Sequence, residues 1–401
     1  MKLFAVFSAL FIAANAVPFI RQLDEPFAGK TWVVLAASAN GWGNYGMQAD
    51  VYHAYQVIKA HGIPDENIIV MHYDDLAKNE RNPTPGVIVN RKGGPDVYKG
   101  VPKDYTGKDV TPQNFLAILR GDEKLAKAGK KVVKSGPNDR IFVYLDDHGS
   151  EGYVVFPNDK LMAQDLTDTL VAMHKDNKYK ELVFYLAACY AGSMFDKILP
   201  NNINAYAMSA TLPDELAVQF AVAWLNDSEH HDLTKETIKT QYDYIAHAFT
   251  DQHAQQYGDL SINAEHLSTY MGEKQVPSVG QYSQPANSVP IPDAPIYLAQ
   301  LLLRNRELMD KQIEEYVNSL SGIEANVVLN SKLQINNKEC YHKLVDTFHD
   351  KCYNLGQNSY AIQKMKVLGN ICHSSDADVN TFNQLLTKYC DTIVKPNANI
   401  I

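Results

Sequence analysis

Residues 140–150 read RIFVYLDDHGS and residues 181–193 read ELVFYLAACYAGS, and these two stretches decide the fold. Each opens with an unalternated run of β-branched, aromatic and aliphatic residues, the pattern of a strand covered on both faces. Each ends on residues that carry chemistry: Asp146-Asp147-His148-Gly149-Ser150 in the first, Cys189-Tyr190-Ala191-Gly192-Ser193 in the second. Runs of the same kind occur on either side, at Thr31 to Ala37, Asn67 to Tyr73 and Asn204 to Ala210. Between them Gln48 to His61, Thr111 to Ala128 and Ala163 to His174 place apolar residues at helical spacing. Strands alternating with helices predict an α/β domain with a mostly parallel sheet and helices on both faces.

Past this domain the pattern changes twice. Residues 275–295, QVPSVGQYSQPANSVPIPDAP, have no apolar period and read as a linker and activation segment. From residue 296 only helical spacing remains, at Ile296 to Leu320, Asn337 to Tyr353, Tyr360 to Cys372 and Val379 to Val394. The tail has 11 basic and 11 acidic residues, so the net charge of −9 lies wholly ahead of it. That charge, and the lack of any dense basic run, excludes nucleic acid as a partner. Lys2, the apolar stretch Leu3 to Ala13 and Ala14-Asn15-Ala16 predict a signal peptide over 1–16 and a mature chain starting near Val17. No later segment is apolar enough to span a membrane, so a secretory-pathway protein with no membrane partner is expected.

In open α/β sheets reactive groups gather at the carboxyl ends of strands. If the two quoted strands are neighbours, the His148 imidazole and the Cys189 thiol meet there. A histidine that accepts the thiol proton makes a thiolate nucleophile, and N–H groups at Gly149 and Cys189 would stabilise an oxyanion. A lone Cys ending a buried strand and a His-Gly turn also fit a purely structural role, and spacing alone leaves both readings open. Cys340, Cys352, Cys372 and Cys390 cluster in the tail, where spacings without a short knuckle favour two disulfides over zinc. Asn226-Asp227-Ser228 is a glycosylation sequon. Arg120-Gly121-Asp122 lies within a helical pattern and reads as a solvated helix face. His230-His231 lacks ligand spacing, so neither a metal nor any other cofactor is expected.

The blocks ending in His-Gly and Ala-Cys resemble the clan of cysteine peptidases that includes caspases and legumains. NPTPGVIVNRKGGPDVYKGVPKDYTGKDVTPQNFLAILRGD (82–122), SANGWGNY (38–45), QADVYHAYQ (48–56) and FPNDKL (156–161) resemble the legumain family, the asparaginyl endopeptidases, nearly residue for residue. GPI transamidases share the His and Cys motifs but usually add a C-terminal membrane span. The resemblance implies a caspase-like peptidase domain over 28–274 after an N-terminal segment at 17–27, and an all-α, death-domain-like prodomain over 296–401. It implies Cys189 as nucleophile, His148 as base, Asn44 as the residue orienting that base, and Gly149 at the oxyanion position. Disulfides Cys340–Cys372 and Cys352–Cys390 and an activating cut at Asn305 follow from the same resemblance.

The function implied is a cysteine endopeptidase zymogen acting on protein or peptide substrates through a thioester, with its prodomain as inhibitor. A lysosomal, vacuolar or secreted location, such as a gut lumen, goes with it. The thioester would be resolved by water, or by an amine in ligation. Acid is expected to free the prodomain by protonating carboxylates of the peptidase part that face tail Lys and Arg. The pocket departs from the family. Gly46 stands where members carry an arginine, Ala187 stands where they carry a glutamate, and Thr211 to Asn226 is shorter and mostly apolar. Weakened asparagine specificity is therefore expected, and a catalytically silent homologue that binds peptides or proteins in the same crevice is the alternative.

Overall fold

The computed structural model describes residues 29–276, apart from 92–93, 218 and 250–251, and residues 296–395, apart from 357, 374–378 and 394. The expected signal peptide, the segment 17–27 and most of the expected linker lie outside the described residues.

A six-stranded sheet runs in the order β2-β1-β3-β7-β8-β9, with β1 Thr31–Ala37, β2 Ile68–Met71, β3 Arg140–Asp146, β7 Glu181–Ala187, β8 Ala205–Ser209 and β9 Gln255–Gly258. The first five strands are parallel and β9 closes the edge antiparallel. A small second sheet, β4 Gly149–Ser150, β5 Tyr153–Phe156 and β6 Asp159–Met162, grows directly out of the loop after β3. Around the main sheet lie α1 Tyr45–Ala60, α2 Pro112–Arg120, α3 Glu123–Lys127, α4 Ala163–Lys175, α5 Phe220–His230, α6 Ile238–Ala248 and α7 Ser268–Met271.

The continuous apolar runs are explained by where successive residues of β3 and β7 go. Tyr144 and Tyr185, register partners, both pack on Trp224 of α5, while Phe184, one step along β7, packs on Phe115 of α2. A strand buried on both faces needs apolar residues at every position. The amino-terminal end of the pair is polar and still buried: Arg140 donates to its register partner Glu181 at 2.8 Å and to Glu265 at 3.4 Å. Arg140→Leu is expected to cost about 3–5 kcal/mol, because Glu181 would keep a buried charge without that cation. Denaturant unfolding of the variant measures it, and a loss below about 1 kcal/mol, the value of an exposed pair, would contradict the burial argument.

One sequence expectation is corrected here. The stretch 111–128 is two helices, not one. Thr111 caps α2 by accepting from the Asn114 N–H, and Pro112 opens its first turn. Gly121 ends it in the left-handed region at φ 68°, where a Cβ would lie 2.3 Å from the Val133 carbonyl. Asp122 then caps α3 through the Lys124 and Leu125 N–H groups. Arg120-Gly121-Asp122 is thus a helix-to-helix turn rather than a helix face, with Arg120 donating to Thr169 Oγ1 at 3.2 Å.

The tail is helical: α8 Ile296–Asn318, α9 Ala325–Asn330, α10 Lys338–Thr347 continued by a π-helical turn to Cys352, α11 Ser359–Ile371 and α12 Val379–Thr392. Disulfides join Cys340 to Cys372 and Cys352 to Cys390, tying α10 and its extension to the ends of α11 and α12. The tail's apolar core takes in Tyr153 and Val155 of β5, so the small sheet is the shelf on which the tail docks.

Candidate active site

Strand register places the reactive groups. Asp146 and Ala187 are partners at the last paired position of β3 and β7, and the Asp147 N–H extends the ladder to the Ala187 carbonyl at 3.1 Å. His148 and Cys189 therefore leave the sheet from adjacent carboxyl ends. Tyr190 follows the thiol in the left-handed region, φ 55°, so the chain turns sharply into a 3-10 turn at Ala191–Met194. Non-glycine residues rarely adopt this conformation without a surrounding structure that holds it. Here the Tyr190 N–H donates to the Glu215 carbonyl at 2.6 Å. On the facing side a Cβ at Gly149 would come 2.3 Å from the Cys189 carbonyl, so a residue lacking one is required for β4 to pass the thiol's backbone.

His148 Nε2 lies 2.9 Å from Asn44 Oδ1, at the amino-terminal cap of α1. An amide oxygen can only accept, so Nε2 carries the proton and Nδ1 is left basic. The Asn44 amide nitrogen donates to the Asn40 carbonyl at 2.8 Å and, across to the tail, to the Gly356 carbonyl at 3.0 Å. Burial lowers the imidazole to about 4. Burial also raises the Cys189 thiol, with partial relief from backbone N–H groups including that of Ala217, which donates to the sulfur at 3.4 Å. Burial thus acts against the charged form of both the thiol and the imidazole.

The surroundings hold polar features that the sequence pattern gave no means to find. Asp147 accepts from the Ser38 hydroxyl and is pushed up to about 8 by burial. Asp146 accepts from Tyr144 at 2.7 Å and shares a hydrogen bond with Asp50 of α1; burial raises both carboxyls, Asp50 to about 6. Only the tertiary structure brings positions 50 and 146 together.

Around the crevice, a Cβ at Gly46 meets nothing within 4 Å, and Ala187 is 7% exposed. The segment after β8 contains Glu215, but its carboxylate accepts from the backbone and side chain of His253 and from Leu212. Burial acts to raise Glu215, and these bonds outweigh it, leaving the group below its ordinary value. Phe220 to Asn226, read from sequence as part of that loop, forms the first turns of α5. Asn226 is half-buried there and donates to Tyr244 at 3.1 Å. Asn305 is 6% exposed inside α8, so a cut at that bond requires the helix to unwind first.

The tail also meets the small sheet and its turn at several points. Ser150 Oγ meets Tyr341 OH at 2.7 Å, the Asn354 amide donates to the Pro157 carbonyl at 3.0 Å, and Lys160 pairs with Asp346 at 2.7 Å.

Comparison with known proteins gives matches over both parts. The Peptidase C13 family model matches residues 31–273 and the legumain prodomain model matches residues 299–390. Legumain of Homo sapiens is 40% identical, with 92% of this chain and 94% of that one covered. Vacuolar-processing enzyme of Phaseolus vulgaris is 36% identical over 90% of this chain and 85% of its own. Caspase-1 from Spodoptera frugiperda superposes with a TM-score of 0.38 at 12% identity, covering 63% of this chain and 94% of that chain.

Proposed function

The chain belongs to the peptidase C13 family and carries a legumain prodomain, and on that premise we propose that it is a cysteine endopeptidase zymogen in which Cys189 and His148 perform the chemistry. The observation that supports the assignment is the pairing of β3 with β7, from whose adjacent carboxyl ends His148 and Cys189 leave the sheet, with Asn44 bonded to the imidazole. His148 Nδ1 accepts the thiol proton and the sulfur attacks the scissile carbonyl. The N–H groups of Gly149 and Cys189 face the oxyanion. His148 then returns the proton to the departing amine, and water resolves the Cys189 thioester. Protein and peptide substrates, and a lysosomal, vacuolar or secreted location, follow from the family. Among the described residues no helix is long and apolar enough to cross a membrane.

We take 28–274 as the peptidase domain, 275–295 as the activation segment and 296–401 as the inhibitory prodomain. The Gly356 carbonyl occupies Asn44 from the prodomain side, and Tyr341 and Asn354 cover the shelf beside it. A silent homologue is the second reading, favoured by one feature: burial raises the Cys189 thiol and lowers the His148 imidazole, both away from a thiolate–imidazolium pair.

Acid release is assigned to imidazoles rather than to carboxylates. The Lys332–Asp214 pair has the expected polarity, but the two side chains are 66% and 68% exposed, and such pairs contribute little. Lys160–Asp346 has the reverse polarity. Burial instead lowers His342, which faces the Glu151 carbonyl, Asp346, Lys338 and Lys160, and His349, which faces Lys160, Asp350, Asp159 and Asp346. The Leu355 N–H donates to His349 Nδ1 at 3.2 Å, one residue before the carbonyl bound to Asn44, and protonation removes that acceptor. The docked form binds fewer protons than a released form with ordinary imidazoles, so docking weakens as pH falls below 6.5 toward the depressed values. Glu151 opposes this, because burial raises its carboxyl and the docked form gains a proton above the ordinary 4.5.

Labelling of Cys189 by a thiol-reactive peptide probe should therefore appear as purified proenzyme is taken down through this range. The His342→Gln, His349→Gln double variant should need lower pH, and an unchanged midpoint would contradict the assignment. Absence of labelling and of peptide turnover in acid-treated, prodomain-free protein would sink the enzyme reading in favour of the silent one.

A further inference from the structure

On the flank of the domain, away from Cys189, the end of α5 and the turn into α6 bring three ligand-type side chains together. The nearest ligand atoms of Asp227, His231 and Glu236 all lie within 4.8 Å of one another. His231 Nδ1 is 2.9 Å from Asp227 Oδ1 and 3.8 Å from Glu236 Oε2. His230 and His231 adjoin acidic residues without ligand spacing in the sequence, but Asp227 and His231 are one helical turn apart, and the fold returns Glu236 to them.

The two carboxylates make the cluster more than a set of neighbours. Asp227 is fully buried and Glu236 is 8% exposed. Asp227 Oδ1 and Glu236 Oε2 are buried oxygens that accept no well-formed hydrogen bond, and both point into the cluster. The other Asp227 oxygen is held separately, accepting from Gln241 Nε2 at 2.7 Å, and Gln241 accepts in turn from Tyr185 OH at 2.9 Å. Outer bonds of this kind orient the ligands of metal sites. His231 is 53% exposed and lines, with His61, His230 and Lys274, an open cleft of about 200 Å³ that gives an ion a way in.

We propose that Asp227, His231 and Glu236 form a zinc site that braces the α5–α6 junction, with the fourth position open to water. One imidazole and two carboxylates suit zinc among the available divalent ions. Tetrahedral zinc with bonds of about 2.0–2.1 Å spaces its ligand atoms roughly 3.3 Å apart, within the range of separations in this cluster. The site involves none of the proposed catalytic groups, and through Gln241 and Tyr185 it reaches β7, the strand that leads to Cys189.

The test uses the full proenzyme with Cys189→Ala, so that no free thiol competes for metal. The protein is stripped with a chelator, incubated near neutral pH with Zn²⁺ or Co²⁺ and desalted, and then measured for metal content, visible absorption and Tm. One Zn²⁺ retained per chain, Co²⁺ bands in the visible and a Tm raised by Zn²⁺ are expected. Adding His231→Ala should abolish all three, Glu236→Gln should weaken binding at least ~10-fold, and His230→Ala should leave it unchanged. His231 is half-exposed, so its variant reports on the site even if Glu236→Gln folds poorly. No retained metal, or retention that His231→Ala does not alter, overturns the proposal.

Discussion

Cys189→Ala and His148→Ala should each reduce kcat/KM of the activated enzyme by at least about 10³-fold, and the double variant should be little worse than either alone. Nucleophile and base act as one unit: a thiol without its base is mostly unionised, and a base without its thiol has nothing to activate. The docked structure strengthens the expectation for His148, because burial already raises the thiol and no neighbouring cation is among the causes acting on it. Asn44→Ala should cost less, since it positions the imidazole through one bond at 2.9 Å and does not touch substrate. Steady-state assays on tail-free protein measure all three. A loss of only a few-fold in either single variant would remove Cys189 and His148 from the chemistry.

The second large effect concerns what the enzyme cuts after. A pocket that selects an amide side chain needs fixed polar partners, and such sites discriminate by roughly 10⁴–10⁵. The positions that the resemblance assigns to a pocket arginine and a pocket glutamate are Gly46, beside open space, and Ala187. Glu215, an acid in the shortened segment, is engaged by His253 and Leu212. A diverse peptide library should therefore show weak cleavage after asparagine and tolerance of bulkier uncharged side chains. The Gly46→Arg, Ala187→Glu double variant should move preference toward asparagine. Strong asparagine preference in the parent would mean that another polar group lines the pocket. Lost preference also implies slow self-cleavage at Asn305, which is buried in α8.

The sheet was legible because burial on both faces leaves a mark at every position of β3 and β7, and the candidate site was legible because His148 and Cys189 follow directly where those runs stop. The small sheet was not. YVVF and DKLM are only four residues each, and they pair with each other and, through YVVF, with the two-residue β4 that shares the His148 motif. Edge strand β9 reads QQYG, half-exposed and polar, with nothing to separate it from a loop. The helix break at Gly121 was hidden by apolar spacing that carries on across it, although Gly followed by a capping Asp is the local signal for such a break. The Asp50–Asp146 and Asp147–Ser38 contacts join distant residues through folding alone, and no periodic pattern announces them.

A thioester on Cys189 is a covalent intermediate, and trapping it tests the mechanism most directly. Acid-activated, tail-free protein is mixed with a cleavable peptide, quenched in acid within the first turnovers and mapped by mass spectrometry. An acyl group on Cys189, absent from His148→Ala protein and lost with time as product accumulates, is the predicted result. Peptide cleavage that proceeds with no acyl adduct on Cys189 would contradict it.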